Sequence, residues 1–460
     1  MTRLPNFPDY SLLKTKKKID DLVRLSEVDL TKNEYVFGKG IAKLLGALFK
    51  RYKEDRLTKE WLNDPFIGQA EASGRIFNLF LAAAFDLAVN MEYAQGRLVN
   101  SRWIYCHREG ENCQKAYYSY LKQCPKCCLD KGLENRLSGA QHKPSSHHIG
   151  EITTTVIALL LKLIAEGNES RLSIATITKQ SHDVDAIGYC DDLIALLEIK
   201  ASPMVTFPFA FPLPSALYEE DDSGPIEYRQ HKLIDVLPDF EKITLELPHR
   251  DTSIPLPRLD GDKHWPFEAA QRAFSQKEWT QSYFSAWLEL FDAYSVPKTQ
   301  RSASQQRLTY LVNGWGDEID SNKTKPGLGR TDDIKKGTYQ LLKFGAYYND
   351  EDADLKVKGL LVANLDPLFL KENYFDGLRG VRWGMEDRFE ENDDHYTIAK
   401  NHLHYLYSAV IAFNDPVVND ETLQNAFEFK SAERALMNGQ LDQTLEDWIF
   451  GDINDALVES

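Results

Sequence analysis

A chain of 460 residues is long enough for two or three domains with cores of their own. Its 43% apolar and 27% charged residues are the proportions of a globular protein rather than a disordered or fibrous one. A net charge of −16 excludes a protein that coats nucleic acid by bulk electrostatics, though not one that handles it along a local basic groove. The longest apolar run, Val156 to Ile164, contains Lys162 and is too short to cross a bilayer, and the opening MTRLPNFPDYSLLKTKKK lacks a signal-peptide core. The expectation is a cytoplasmic protein without membrane contact.

Residues 1–100 read as a helical region. Ile41 to Phe49 has helical periodicity, Asp64-Pro65 breaks the chain, and a second helix is expected from about Glu71 to Met91. The basic run Lys14 to Lys18 reads as a solvated arm. Residues 101–145 hold five of the six cysteines. Cys106 and Cys113 form one pair, and the C-P-x-C knuckle Cys124 and Cys127 forms another. In a reducing compartment two such pairs point to tetrahedral zinc, and four thiolates leave no open position, so the metal is structural. Cys128 is a spare, and His107 is a possible substitute ligand.

Residues 146–202 combine a helix with a short meander. Ser145 or Ser146 caps a helix from about Ile149 to Glu166 with Glu151 in its first turn, although the β-branched first half leaves a strand open. A strand from Ser173 to Thr178 and a hairpin through Asp191-Asp192 follow. Side chains alternate across a strand, so a two-residue loop sets Asp185 opposite Glu198 and Asp183 opposite Lys200, all on one face. A three-residue loop would slip the register and part Asp185 from Glu198. Three carboxylates beside one lysine on an apolar ribbon are costly to bury without a cation.

Residues 203–330 are proline-rich at two places, contain one expected helix from about Pro266 to Tyr294, and read as an insertion forming its own subdomain. Its polar segment offers Arg301, Gln305 and Arg307, side chains of the kind that read guanine and adenine edges. In 331–370, Thr331 caps a helix from Asp332 to about Tyr347, followed by an apolar strand, Val357 to Leu365. Lys335, Lys336, Gln340 and Lys343 share overlapping faces of that helix and suit phosphate contacts. Residues 371–460 are expected to be helical, notably Asn401 to Phe413 and Ala432 to Phe450.

Phosphodiester hydrolysis needs a metal that polarises the phosphate and acidifies a water. Magnesium takes oxygen ligands and keeps several waters, so Asp185, Glu198 and the carbonyl of Ile199 suffice, with Lys200 beside them to steer the water or offset charge. Glu151 can reach the same metal or a second one from its helix. The order of a helix with Glu151, a strand, a hairpin carrying Asp185 and the E-x-K triplet Glu198, Ile199 and Lys200, a helix and an apolar strand resembles the PD-(D/E)XK nuclease superfamily. The usual proline before the first acid is absent, and the segment between third strand and second helix is long. The resemblance implies an α/β (α+β) fold, a mixed central sheet flanked by helices, with Asp185 and Glu198 on magnesium and Lys200 assisting the water.

No P-loop motif accompanies this core. The first expectation is therefore a type II restriction endonuclease cutting double-stranded DNA, for which the resemblance implies a homodimer. The alternatives are a repair or phage-defence nuclease with the same core, and a zinc-stabilised DNA-binding protein without catalysis.

Overall fold

The computed structural model describes residues 36–95, 103–106, 116–118, 121, 123–132, 146–176, 184–190, 193–211, 226–229, 242–259, 262, 264–312, 325–348, 356–370, 372–384, 390–392, 395–398 and 403–450. The fold is mixed α+β, with two six-stranded sheets.

Among the described residues three α-helices come first: α1 (Val36–Thr58), α2 (Pro65–Ala72) and α3 (Ile76–Ala94). Asp64 caps α2 by accepting from the Phe66 and Ile67 amides, with Pro65 at the first helical position. The single helix expected from Glu71 to Met91 is interrupted, because Gly74 takes a left-handed φ of 66° between α2 and α3. Helix α3 is long and apolar enough to cross a bilayer, yet 94% of its apolar window is buried inside the fold. It is a core helix.

The strands β1 (Trp103–Cys106) and β2 (Ala116–Tyr118) precede α4 (Pro125–Lys131). Helix α5 (Ser146–Gly167) then leads into β3 (Ser173–Thr176), β4 (Ala186–Cys190) and β5 (Leu193–Ile199). The segment 203–330 supplies β6 (Phe209–Phe211), β7 (Ile226–Arg229), β8 (Thr244–Leu247), β9 (Thr252–Pro255), α6 (Phe267–Phe274), α7 (Lys277–Ser295) and α8 (Ala303–Thr309). The helix expected over Pro266 to Tyr294 is thus two, broken at Ser275-Gln276. The first sheet runs β7-β1-β2-β6-β8-β9, so strands of the cysteine-bearing segment and of 203–330 pair directly. Residues from α1, α3, α6 and α7 also share one apolar core. Among its described residues the 203–330 segment closes no core of its own: its short strands share a sheet with β1 and β2.

The second six-stranded sheet runs, in strand order, β16 (Val417–Val418), β15 (Ala409–Ala412), β10 (Lys356–Ala363), β5, β4 and β3, while β11 (Arg382–Trp383), β12 (Glu390–Asn392) and β13 (His395–Thr397) lie outside it. After the meander β3-β4-β5 come α9 (Thr331–Tyr348) and β10 (Lys356–Ala363), which lies parallel to β5. The expected helix Asn401 to Phe413 is instead β14 (His404–Tyr405) and β15 (Ala409–Ala412); β15 pairs parallel with β10 and antiparallel with β16 (Val417–Val418). All four residues of β15 are buried. A short, uniformly apolar run carries no period that separates a buried strand from a buried helix. The helices α10 (Glu421–Ala426), α11 (Phe429–Met437) and α12 (Asp442–Phe450) follow.

Every residue of β5 is buried, as a central strand covered on both faces requires. Leu193, Ala195, Leu197 and Ile199 face the core containing α5, whereas Ile194 and Leu196 face α9 through Ile334, Leu341 and Phe344. Helix α12 returns to α1: Lys53 Nζ donates to Asp442 Oδ1 at 2.6 Å, and a Cβ on Gly46 would lie 2.8 Å from Ile449 Cγ1. Glycine is required there for the helices to approach so closely.

Asp86 on α3 is fully buried. Its Oδ2 accepts from the Met204 and Val205 amides and from Trp287 Nε1, tying α3 to the chain after β5 and to α7. Burial pushes its carboxyl up from 3.8 to about 8 against the pull of those donors. The protonated carboxyl therefore favours the fold fully below about pH 4, and that contribution is lost as pH rises through about 8. In thermal unfolding between pH 5 and 8, Asp86→Asn is expected to flatten the decline in stability seen in the wild type. Parallel profiles for the two proteins would refute this.

Candidate functional site

In the hairpin, Ala186 pairs with Leu197 and Cys190 with Leu193, the register of a two-residue connection. Asp185, one step beyond, lies opposite Glu198: its amide donates to the Leu197 carbonyl at 3.2 Å, and its Oδ2 accepts from the Ile199 amide at 2.8 Å. Lys200 follows β5 directly, its own amide held by the Val362 carbonyl of β10 at 2.9 Å. The Lys200 ammonium donates to Glu198 Oε1, lies 3.9 Å from Asp185 Oδ2, and reaches the Ile199 carbonyl at 3.4 Å. Two carboxylates, one ammonium and one carbonyl thus converge at the end of a central strand.

The environments of these groups differ. The Glu198 side chain is 5% exposed, that of Lys200 23% and that of Asp185 38%, so the site opens on the Asp185 side. Burial alone would depress the Lys200 ammonium. Glu198 and Asp185, with a further contribution from Asp333, reverse that and hold it above its ordinary value. At neutral pH Lys200 is a cation.

Asp333, which sequence reasoning missed, stands in the first turn of α9. Arg330 Nε lies 3.5 Å from its Oδ2, and Lys200 and Lys336 add longer-range favourable charge. Burial pushes its carboxyl up, opposed by those three cations. The sequence signal was present in Asp332-Asp333, but acids at a helix start are explained by the helix dipole alone and drew no further reading.

A backbone lock fixes how α9 meets the strand ends. Asn364, just past β10, exchanges hydrogen bonds with Ser202 at 2.7 and 3.2 Å. The Gly327 amide donates to the Ser202 carbonyl at 3.1 Å and the Leu328 amide to the Leu365 carbonyl at 3.0 Å. Gly327 has φ 52°, and a Cβ there would stand 2.4 Å from the Leu365 carbonyl oxygen, so no other residue fits without strain.

Glu151 is not brought to this cluster. Helix α5 begins at Ser146, which places Glu151 in the second turn rather than the first, exposed, on the helix against the opposite sheet face. Among the described residues it forms no group with Asp185 and Glu198 within 4.8 Å. Asp183, Asp191, Asp192, Cys113, His107 and the Lys14 to Lys18 run lie outside the described residues.

The candidate nucleic-acid contacts divide. Lys335 and Lys336 are exposed, Lys343 is half-buried, and the Gln340 Oε1 is buried without a hydrogen-bond partner among the described residues. Arg301 is committed to the fold: it donates to the Val296 and Tyr294 carbonyls at 2.8 and 3.0 Å, closing the end of α7, and lies over the Tyr294 ring. Gln305 completes a capping box with Ser302 at the start of α8. The spacing Ser302-x-x-Gln305 is a helix-start signature, and reading it as such would have withdrawn Gln305 from the base-reading set. Arg307 is exposed.

A second constellation lies in the first sheet. Cys106 ends β1, Cys124 and Cys127 begin α4, and their sulfurs all lie within 4.8 Å of one another in the interior. Cys106 and Cys127 Sγ are 3.8 Å apart. Zinc–thiolate bonds of about 2.3 Å at tetrahedral angles separate sulfurs by about 3.8 Å, so the cluster can hold a metal ion such as zinc. Cys128 turns away, its Sγ 3.5 Å from the Tyr310 carbonyl.

Compared with protein-family models, curated proteins and solved structures, the chain matches none.

Proposed function

We propose that this protein is a magnesium-dependent endonuclease of the PD-(D/E)XK type acting on double-stranded DNA, with a structural zinc in its cysteine cluster. The observation that carries the reading is the convergence of Asp185, Glu198 and Lys200 at the end of β5. A helix, an antiparallel meander, a second helix and a parallel fourth strand around that point also support it.

The donor set fits magnesium: two carboxylates, one of them nearly fully buried, and the Ile199 carbonyl facing the same space. Magnesium bound there would polarise the scissile phosphate and acidify a water. Lys200, a cation, stabilises charge building on the phosphate and orients the nucleophile. Lys335 and Lys336 supply phosphate contacts on the exposed face of α9. A homodimer on a two-fold-symmetric site belongs to the same reading.

The engagement of Arg301 and Gln305 within the fold favours a second reading, the same chemistry directed by DNA structure rather than sequence. Plasmid DNA incubated with the protein and magnesium, or with EDTA, tests both. Discrete fragments that vanish with EDTA and in Asp185→Ala are the expected result. A ladder or smear would select the second reading, and intact DNA in every lane would sink both.

A further inference from the structure

A cavity of about 260 Å³ lies beside the C-terminal half of α9, away from the helix start that Gly327 holds to Ser202. Its other sides are the first residues of β10 and the small two-stranded sheet of β11 and β14. Along the β10–β5 ladder, Lys358 pairs with Ala195 and Leu361 with Glu198. Three residues of strand, about 10 Å, therefore part this cavity from the Asp185, Glu198 and Lys200 cluster.

The fold builds the cavity with care for its walls. A Cβ at Gly345 would overlap the Trp383 ring, so glycine at that position lets β11 close against α9. Leu341, Phe344 and Leu406, all buried, form an apolar side. Two cations, Lys358 and Arg382, and one carboxylate, Asp420, line the rest. Asp420 is already committed. Its Oδ1 caps α10 by accepting from the Thr422 and Leu423 amides at 3.1 and 3.4 Å, and its Oδ2 lies 2.8 Å from Lys358 Nζ.

Arg382 is the group left over. Its guanidinium donates to the Tyr405 hydroxyl and lies 4.3 Å from the centroid of that ring, yet among the described residues no carboxylate pairs with it. Stacking on Tyr405 holds the fork in one place, so a ligand need not order it. One uncompensated cation is thus fixed beside an apolar wall in a chain of net charge −16. A cavity of about 150 Å³ is enough to admit a benzene ring, so this one has room for a ring and a charged head.

We propose that this cavity is a binding site for a small organic anion, a carboxylate or phosphate ester with a ring-sized apolar body, whose head group pairs with Arg382 and whose body lies against Leu341, Phe344 and Leu406. The site is independent of the nuclease reading above.

Isothermal titration of the full chain with benzoate, phenyl phosphate, acetate, inorganic phosphate and benzyl alcohol tests it. Benzoate or phenyl phosphate should bind saturably and at least about tenfold more tightly than the two ringless anions or the uncharged alcohol. The tighter of the two aromatic anions names the head group. Arg382→Met should weaken that binding about 10- to 100-fold, the worth of a hydrogen bond to a charged group, and Arg382→Lys should recover part of the loss. Lys430→Met, an equal loss of charge at an exposed position on α11, should change nothing. Failure of both aromatic anions to saturate would overturn the proposal. So would equal affinity in the wild type and Arg382→Met, which would put the anion elsewhere on the protein.

Discussion

Lys200→Ala is expected to reduce magnesium-dependent cleavage by about 10²- to 10³-fold, the cost of deleting one pre-set group that stabilises transition-state charge. The same change removes the ammonium that donates to the Glu198 carboxylate in a nearly closed position. Removing one partner of a buried pair costs about 3–5 kcal/mol, and less here because Lys200 retains some solvent contact. Lost activity alone would therefore be ambiguous. The paired change Glu198→Gln with Lys200→Met removes both charges and keeps the volume, so it should unfold near the wild-type temperature and still be inactive. Single-turnover rates at saturating magnesium, read beside thermal unfolding, separate the two effects. A Lys200→Ala enzyme cutting within tenfold of the wild type would take Lys200 out of the chemistry.

The second large effect belongs to the cysteines. About one zinc per chain is expected by metal analysis, and Cys124→Ser should lose it and lower the melting temperature by about 10 °C. The site joins β1 to α4, and β1 pairs with both β2 and the edge strand β7, so releasing the ion loosens the first sheet at that end. Cys128→Ser is the control, because that thiol points toward the Tyr310 carbonyl and should leave the zinc content unchanged. A wild-type protein that is folded and free of zinc would disprove the structural role.

Periodicity and punctuation made part of this architecture legible. The Asp191-Asp192 dipeptide between two apolar runs predicted the register that sets Asp185 against Glu198, because a turn of known length leaves one pairing. Thr331 and the acids after it marked the start of α9. What escaped had other causes. Fully buried strands such as β15 show no alternation, so Ala409 to Ala412 read as helix. Asp333 escaped because acids after Thr331 already had a local reading at a helix start, and the hydrogen bond from the Gly327 amide to the Ser202 carbonyl joins residues too far apart in sequence to leave a local trace. Arg301 and Gln305 illustrate the opposite case: beside the base-reading role, the sequence also offered local structural ones, a clamp on a helix end and a capping box.

The contact between α12 and α1 bears on how the protein is made. Lys53 and Asp442 are 389 residues apart, and the close seat at Gly46 stays unfilled until Ile449 arrives. At about 5–20 residues per second, a ribosome needs about 20 to 80 s to span that interval. Throughout it the nascent chain carries an apolar helix face with no covering partner, and β10 waits similarly for β15. Such a chain is a natural client for holding chaperones during synthesis, and a fusion that delays release of the last helices should lower soluble yield more than one placed ahead of α1.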